Sequence, residues 1–190
     1  MARPRSEEKQ IALLEAAAEV MAVQGIGAPT SAVARTAGVS EGTLFRYFPT
    51  KDDLLNELYL YLKQDVCEAM TKGFAKASSL KERVRALWEA YVDWGIARPA
   101  AKDTLRQLSV SEKITEQSHL QAAKLFADIE ALSKACSSRT GPLAKHPGSF
   151  GDAIFMALAD TTMEFAAREP KEAHAYKTAG FKVLWDGLIE

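Results

Sequence analysis

The chemistry of this chain is concentrated between Thr30 and Leu55, TSAVARTAGVSEGTLFRYFPTKDDLL. Hydroxyls (Ser31, Thr43, Tyr47), two cations (Arg46, Lys51), one acid (Glu41) and an aromatic (Phe45) crowd around a glycine, Gly42. Groups of these types suit phosphates and base edges; they do not form a nucleophile–base set. Lys51 opens a helix, where the dipole mildly disfavours a cation unless an anion docks beside it. A phosphate would resolve that conflict. Gly42 in the first turn of a helix costs about 1 kcal/mol against alanine, and close backbone approach to a ligand such as a duplex would justify it.

The pattern that must hold these groups is two short helices across a tight turn, with a third started at once. Ser31–Thr36 is expected as the first, with Val33 and Ala34 inward and Pro29-Thr30 at its start. Thr30 reads as a cap. Ala37-Gly38-Val39-Ser40 is the turn: Gly38 supplies a left-handed exit, Val39 an apolar plug and Ser40 an N-cap. Glu41–Phe48 follows, with Leu44 and Phe48 as core, and Pro49 stops it. Thr50-Lys51-Asp52-Asp53 is a capping box for the next helix. This is a helix-turn-helix.

Elsewhere helical periodicity dominates, and no strand series appears, so the fold class is all-α. Ser6–Gln24 is expected as an amphipathic helix with Ile11, Leu14, Ala17, Ala18 and Met21 on one stripe, after a flexible Arg3-Pro4-Arg5 arm. A long helix runs from Thr50 to about Phe74, with Leu54, Leu55, Leu58, Leu62, Val66 and Met70 inward. Leu80–Arg98 is aromatic-rich and ended by Pro99; Lys102–Leu108 is short and Glu112–Ser138 long. Arg139–Gly148, with two prolines and two glycines, reads as a loop. Ser149–Arg168 and Glu172–Leu188 close the chain.

At 190 residues and 47% hydrophobic content the chain can bury a real core. The net charge of −1 argues against a general polyanion binder. Even Met1–Lys51 carries six basic residues against five acidic, so DNA binding must rest on the placement of a few cations, on helix ends and on dimerisation. Cys67 and Cys136 lack CxxC spacing and read as buried free thiols. The N-terminus has no apolar signal core and no span approaches the ~20 residues of a membrane helix, so a cytoplasmic chain away from the membrane is expected. His119, His146 and His174 are scattered, and neither catalytic nor metal-ligand spacing exists. An enzyme, a metal site and a cofactor are therefore not expected.

Ala37 to Leu55, AGVSEGTLFRYFPTKDDLL, resembles the DNA-binding motif of the TetR family of bacterial repressors. MARPRSEEK, GTLFRYF, LYLYLKQDV, RQLSVSEKIT and FGDAIFMALADTTMEFAAREP together look like RamR-type regulators of multidrug efflux. The resemblance implies a helix-turn-helix domain at 1–52 and a helical ligand-binding and dimerisation domain at 53–190. Its match places Glu41, Gly42 and Thr43 at the groove of a double-stranded operator. Glu41 can accept from a cytosine amino group and Phe45, equally readable as core, can lie against a thymine methyl. Thr43, Tyr47, Lys51 and Ser31 suit phosphates; Arg46 could reach base or backbone. Family members often carry lysine or glutamine at the Glu41 position.

Two apolar stripes in the last helices, Ile154/Leu158/Thr161/Phe165 and Phe181/Leu184/Trp185/Leu188, read singly as core. Together they also suit a two-fold four-helix interface, and the resemblance favours the homodimer. One face of Ser149–Arg168 carries Asp152, Phe155, Met156, Ala159 and Met163. An unpaired buried acid is expensive, so Asp152 is solvent-facing, paired or lining a cavity. In RamR-like proteins the matching acid and aromatic, with positions matching Tyr59, Lys63 and Met70, line a pocket for lipophilic, often cationic small-molecule inducers. Lys63 could pair with Asp152 or meet an anionic ligand. The expected function is a ligand-responsive repressor of efflux genes; the rival is a small-molecule sensor or carrier with vestigial DNA binding.

Overall fold

The computed structural model describes residues 6–73, 77–137, 146 and 148–189. Among these the secondary structure is helical, with no strand. The helices are α1 (Glu7–Gln24), α2 (Thr30–Thr36), α3 (Glu41–Tyr47), α4 (Lys51–Thr71), α5 (Leu80–Ala97), α6 (Pro99–Ser109), α7 (Glu116–Leu125), α8 (Ala127–Ser137), α9 (Gly148–Arg168) and α10 (Ala173–Leu184). A π-helical segment, Trp185–Ile189, follows α10. The expected Arg3-Pro4-Arg5 arm, the end of the long helix at Phe74 and nearly all of the Arg139–Gly148 loop lie outside the described residues. The chain divides into two compact units, Met1–Asp65 with Arg98–Lys124, and Val66–Ala97 with Leu125–Glu190.

In the first unit α1 packs on α2 and α6. Its buried residues are Leu13, Leu14, Ala16, Ala17, Ala18, Val20 and Met21, a broader face than the expected stripe, and Ile11 is 41% exposed. The alanines let α6 approach closely, and buried Thr104 donates its hydroxyl to the Ala18 carbonyl at 2.8 Å. Leu54, Leu55, Leu58 and Leu62 of α4 are buried as expected. Arg98 holds Glu15 of α1 through one nitrogen at 2.6 and 2.8 Å and Asp65 of α4 through the other at 3.2 Å. The Tyr61 phenol donates to the same Glu15 carboxylate.

Two boundaries differ from expectation. Pro99 does not merely end α5: it opens α6, where its fixed φ and missing N–H are harmless. The expected single helix Glu112–Ser138 is two. Thr115 caps α7, its hydroxyl accepting from Ser118 N–H at 3.2 Å, so residues 112–115 form a turn. Asn56 on α4 secures that turn, accepting from Thr115 N–H at 2.9 Å and the Ser118 hydroxyl at 2.8 Å and donating to the Lys113 carbonyl at 3.0 Å. A further turn at Phe126 separates α7 from α8.

The second unit is built on α5, α8, α9 and α10. Trp88 is fully buried and its indole N–H donates to the Lys177 carbonyl at 2.9 Å. Gly180 lies under that ring: a Cβ there would stand 2.5 Å from Trp88 Cζ2 and 2.7 Å from Thr162 Oγ1. Phe181, Leu184 and Trp185 are buried inside this unit, in keeping with their reading as core and not with the alternative of a face offered to a second copy. The side chain of Leu188 is outside the description. Cys67 is buried and Cys136 half-buried; the Cys67 thiol donates to the Leu125 carbonyl at 3.0 Å, and burial pushes its pKa up.

Candidate nucleic-acid interface

The helix-turn-helix forms as its local signals require. Gly38 takes φ 68°, the left-handed value that ends α2. Its N–H reaches the Arg35 carbonyl at 3.1 Å, and Val39 N–H reaches the Ala34 carbonyl at 2.9 Å. The Ser40 hydroxyl caps α3, accepting from Thr43 N–H at 3.2 Å. At α4 the capping box closes in both directions: Thr50 N–H donates to Asp53 at 2.9 Å and Asp53 N–H to the Thr50 hydroxyl at 3.1 Å.

The seven residues of α3 sort by face. Leu44 is buried, and Phe48, one turn on, is buried too. On the far side Glu41, Gly42, Phe45 and Arg46 are exposed together, as residues at i, i+1, i+4 and i+5 must be. Phe45, readable either way in sequence, is 40% exposed. Thr43 and Tyr47 flank this face half-buried, and Ser31 on α2 is exposed. A Cβ on Gly42 would meet only the Ser40 hydroxyl, at 4.0 Å. Nothing among the described residues requires a glycine there.

Several of the expected contact groups already have intramolecular partners, Thr43 among them, whose hydroxyl shares a hydrogen bond of 2.9 Å with that of Ser40. Tyr47 accepts from Ser6 N–H at 3.0 Å through its hydroxyl, which retains its own proton to donate. The Lys51 ammonium donates to the Ala28 carbonyl at 2.7 Å, so its position at the start of α4 has an explanation without an anion, while two further N–H groups remain. Glu41 accepts from the Thr30 hydroxyl at 2.5 Å. Thr30 was expected as a cap; instead Pro29 precedes α2, no side chain caps that helix, and the Thr30 hydroxyl reaches across to α3. Local pattern carries no sign of a contact eleven residues away.

The expected ligand residues fall in both units. In the first, Tyr59 is buried and shares a hydrogen bond of 3.2 Å with His119 Nδ1, the two rings edge-on at 5.3 Å. The Lys63 ammonium stands 5.5 Å from the Tyr59 ring centre, and burial lowers its pKa while raising that of the phenol. Sequence reading left His119 without a role; its partner is 60 positions away. In the second unit Met70 is buried, and Phe155 meets Trp88 edge-on at 5.6 Å and Tyr91 at 5.8 Å. Asp152 is exposed and accepts from the Ser133 hydroxyl at 3.0 Å, so it carries no burial cost. The face it was expected to share divides: Ala159 and Met163 are buried, whereas Met156 is 43% exposed. Among the described residues there is no cluster of three metal-ligating side chains, and no helix is long and apolar enough to cross a membrane.

Comparison with known proteins agrees with this geometry. Residues 13–58 match the model for bacterial regulatory proteins of the tetR family. The chain is 31% identical over 77 residues to the fatty acid metabolism regulator protein of Bacillus subtilis, an alignment covering 40% of each protein. The chain spans only 40 to 50% of the length of the curated relatives it matches. Across 98% of its length it is similar to the whole of a putative tetR family transcription regulator from Shewanella sp. PV-4, with 27% identity and a TM-score of 0.80. At 22% identity and a TM-score of 0.70, the fold is also that of the TetR-like regulator LfrR from Mycobacterium smegmatis, solved with proflavine, covering 97% of this chain and 99% of that one. The helix-turn-helix of α2 and α3 lies inside the matched segment, so residues 13–58 are similar to the DNA-binding part of tetR-family regulatory proteins.

Proposed function

We propose that this protein is a ligand-responsive repressor which holds operator DNA as a homodimer and is released by small lipophilic compounds, cationic ones included, as in RamR-type control of multidrug efflux. The observation that carries the DNA half of this reading is the single exposed face of α3, where Glu41, Gly42, Phe45 and Arg46 stand together over buried Leu44. An exposed phenylalanine beside a glycine that no intramolecular packing demands suits a groove. Residues 1–52 form the DNA-contacting part in this reading and 53–190 the ligand and dimer part. The dimer contact falls to exposed apolar residues of α9 and α10, including Phe165 and Val183, because the Phe181 stripe is internal.

The ligand half rests on the aromatic group of Phe155, Trp88 and Tyr91 with Asp152 one turn from Phe155. A flat cation gains from stacking and from the carboxylate. Met70, buried in the same unit, and Tyr59 and Lys63, in the first unit, are the other positions that the resemblance assigns to ligand. A second reading, an acyl or other anionic inducer, is favoured by Lys63 beside Tyr59 and by the name of the B. subtilis relative. A mobility-shift titration on the DNA upstream of the protein's own gene, with proflavine or a long-chain acyl thioester added, tests all of this. Binding without ligand and release by proflavine supports the first reading; release by the thioester alone supports the second. No binding to that DNA, or to duplexes selected from a random pool, would leave a sensor without an operator.

A further inference from the structure

Glu41 is the one acid on the exposed face of α3. Left alone, a glutamate at the start of a short exposed helix would sample many rotamers, and beside DNA it would be driven away from the phosphates. Here it is not alone. The Thr30 hydroxyl, from the first residue of α2, donates to its Oε1 at 2.5 Å. The α2–α3 turn, set by Gly38 and the Ser40 cap, fixes the two backbones that carry this pair. Thr30 spends its hydroxyl on no helix cap, and no hydrogen bond from the described residues reaches the second carboxylate oxygen of Glu41.

An ionised carboxylate only accepts hydrogen bonds. In a major groove it favours an exocyclic amino group, such as that of cytosine, and rejects the carbonyl edges of guanine and thymine. Discrimination of that kind demands a fixed acceptor, since a mobile one can turn aside from the wrong base at little cost. We propose that Thr30 is a positioning residue for base recognition: from α2 it orients the Glu41 carboxylate so that the base it faces in each half-site must be one that offers an amino donor there, cytosine before adenine, and not guanine or thymine. The inference rests on the reading of α3 as the DNA-contacting helix. It adds a specificity determinant that lies outside the recognition helix.

The test is selection of duplexes from a random-sequence pool by the full-length protein, with wild type, Glu41→Gln, Thr30→Val, Thr30→Ala and Thr30→Ser compared. Helical circular dichroism and thermal melting check each variant, and valine keeps the shape of threonine without its hydroxyl. Wild type should prefer one base pair at the Glu41 position by roughly tenfold or more. Glu41→Gln should change that preference. Thr30→Val and Thr30→Ala should weaken it to about two- to threefold at the same position, and Thr30→Ser should restore it. Unaltered preference in Thr30→Val and Thr30→Ala would overturn the positioning role, as would an equal loss of affinity for all sequences. A Glu41→Gln variant with wild-type preference would show that the acid reads no base. Failure of wild type to enrich any sequence would instead overturn the DNA reading itself, and this inference with it.

Discussion

Replacing Gly42 by alanine separates the folding of α3 from its contact with DNA. The added methyl meets only the Ser40 hydroxyl at 4.0 Å, an ordinary contact, and the backbone there is not left-handed. Alanine therefore fits the isolated protein without strain. It also removes the entropic cost of a helical glycine, about 0.4–1 kcal/mol. For a chain of this size that is a rise in Tm of roughly 1–4 °C. Against a duplex the same methyl enters a packed interface and should cost about 1–3 kcal/mol, or roughly 5- to 150-fold in Kd. The assay is a thermal melt paired with a titration of the selected duplex at one ionic strength. A lowered Tm would mean that the glycine serves packing inside the protein. A raised Tm with unchanged Kd would refute the argument that the backbone approaches DNA at this point.

Other expectations follow from the packing. Gly180→Ala drives a methyl to 2.5 Å from a Trp88 ring that is tethered by its indole N–H, and should lower stability by about 1–3 kcal/mol, read as a fall in Tm of several degrees. The Tyr61 phenol is pushed up to about 12 from its usual 10.0, first by burial and then by the Glu15 hydrogen bond and charge. A raised folded pKa contributes stability that is full below pH about 10 and lost toward pH 12, so Tyr61→Phe should flatten that part of the alkaline unfolding profile. Phe155→Ala should blunt release of the operator by proflavine while leaving ligand-free affinity within about twofold, since the partners of Phe155 are Trp88 and Tyr91 of its own unit; full release by proflavine would count against the aromatic platform.

The helix-turn-helix was legible in sequence because its determinants are local. Gly38, Ser40, Pro49 and the Thr50–Asp53 box each act within four residues. Leu44 and Phe48 could be assigned to the core because their spacing leaves one inner face. What escaped depends on distant partners. The turn before α7 is held by Asn56, nearly sixty positions earlier, and the separation of α7 from α8 has neither glycine nor proline at Phe126 to mark it. An amphipathic stripe such as Phe181, Leu184 and Trp185 states that a face is covered, not whether its own chain covers it. For the same reason Asp152 shared a helical period with buried residues while itself standing in solvent beside Ser133. The Thr30–Glu41 contact crosses the turn and leaves no periodic trace.

The central claim is that the exposed face of α3 meets DNA, and Phe45 tests it most directly. Its side chain is 40% exposed, so truncation to alanine should change Tm little. Titration of the selected duplex with Phe45→Ala at fixed salt should then show Kd raised about tenfold or more, as expected for losing an apolar base contact and its burial. A Kd equal to wild type, with the fold intact, would contradict the account.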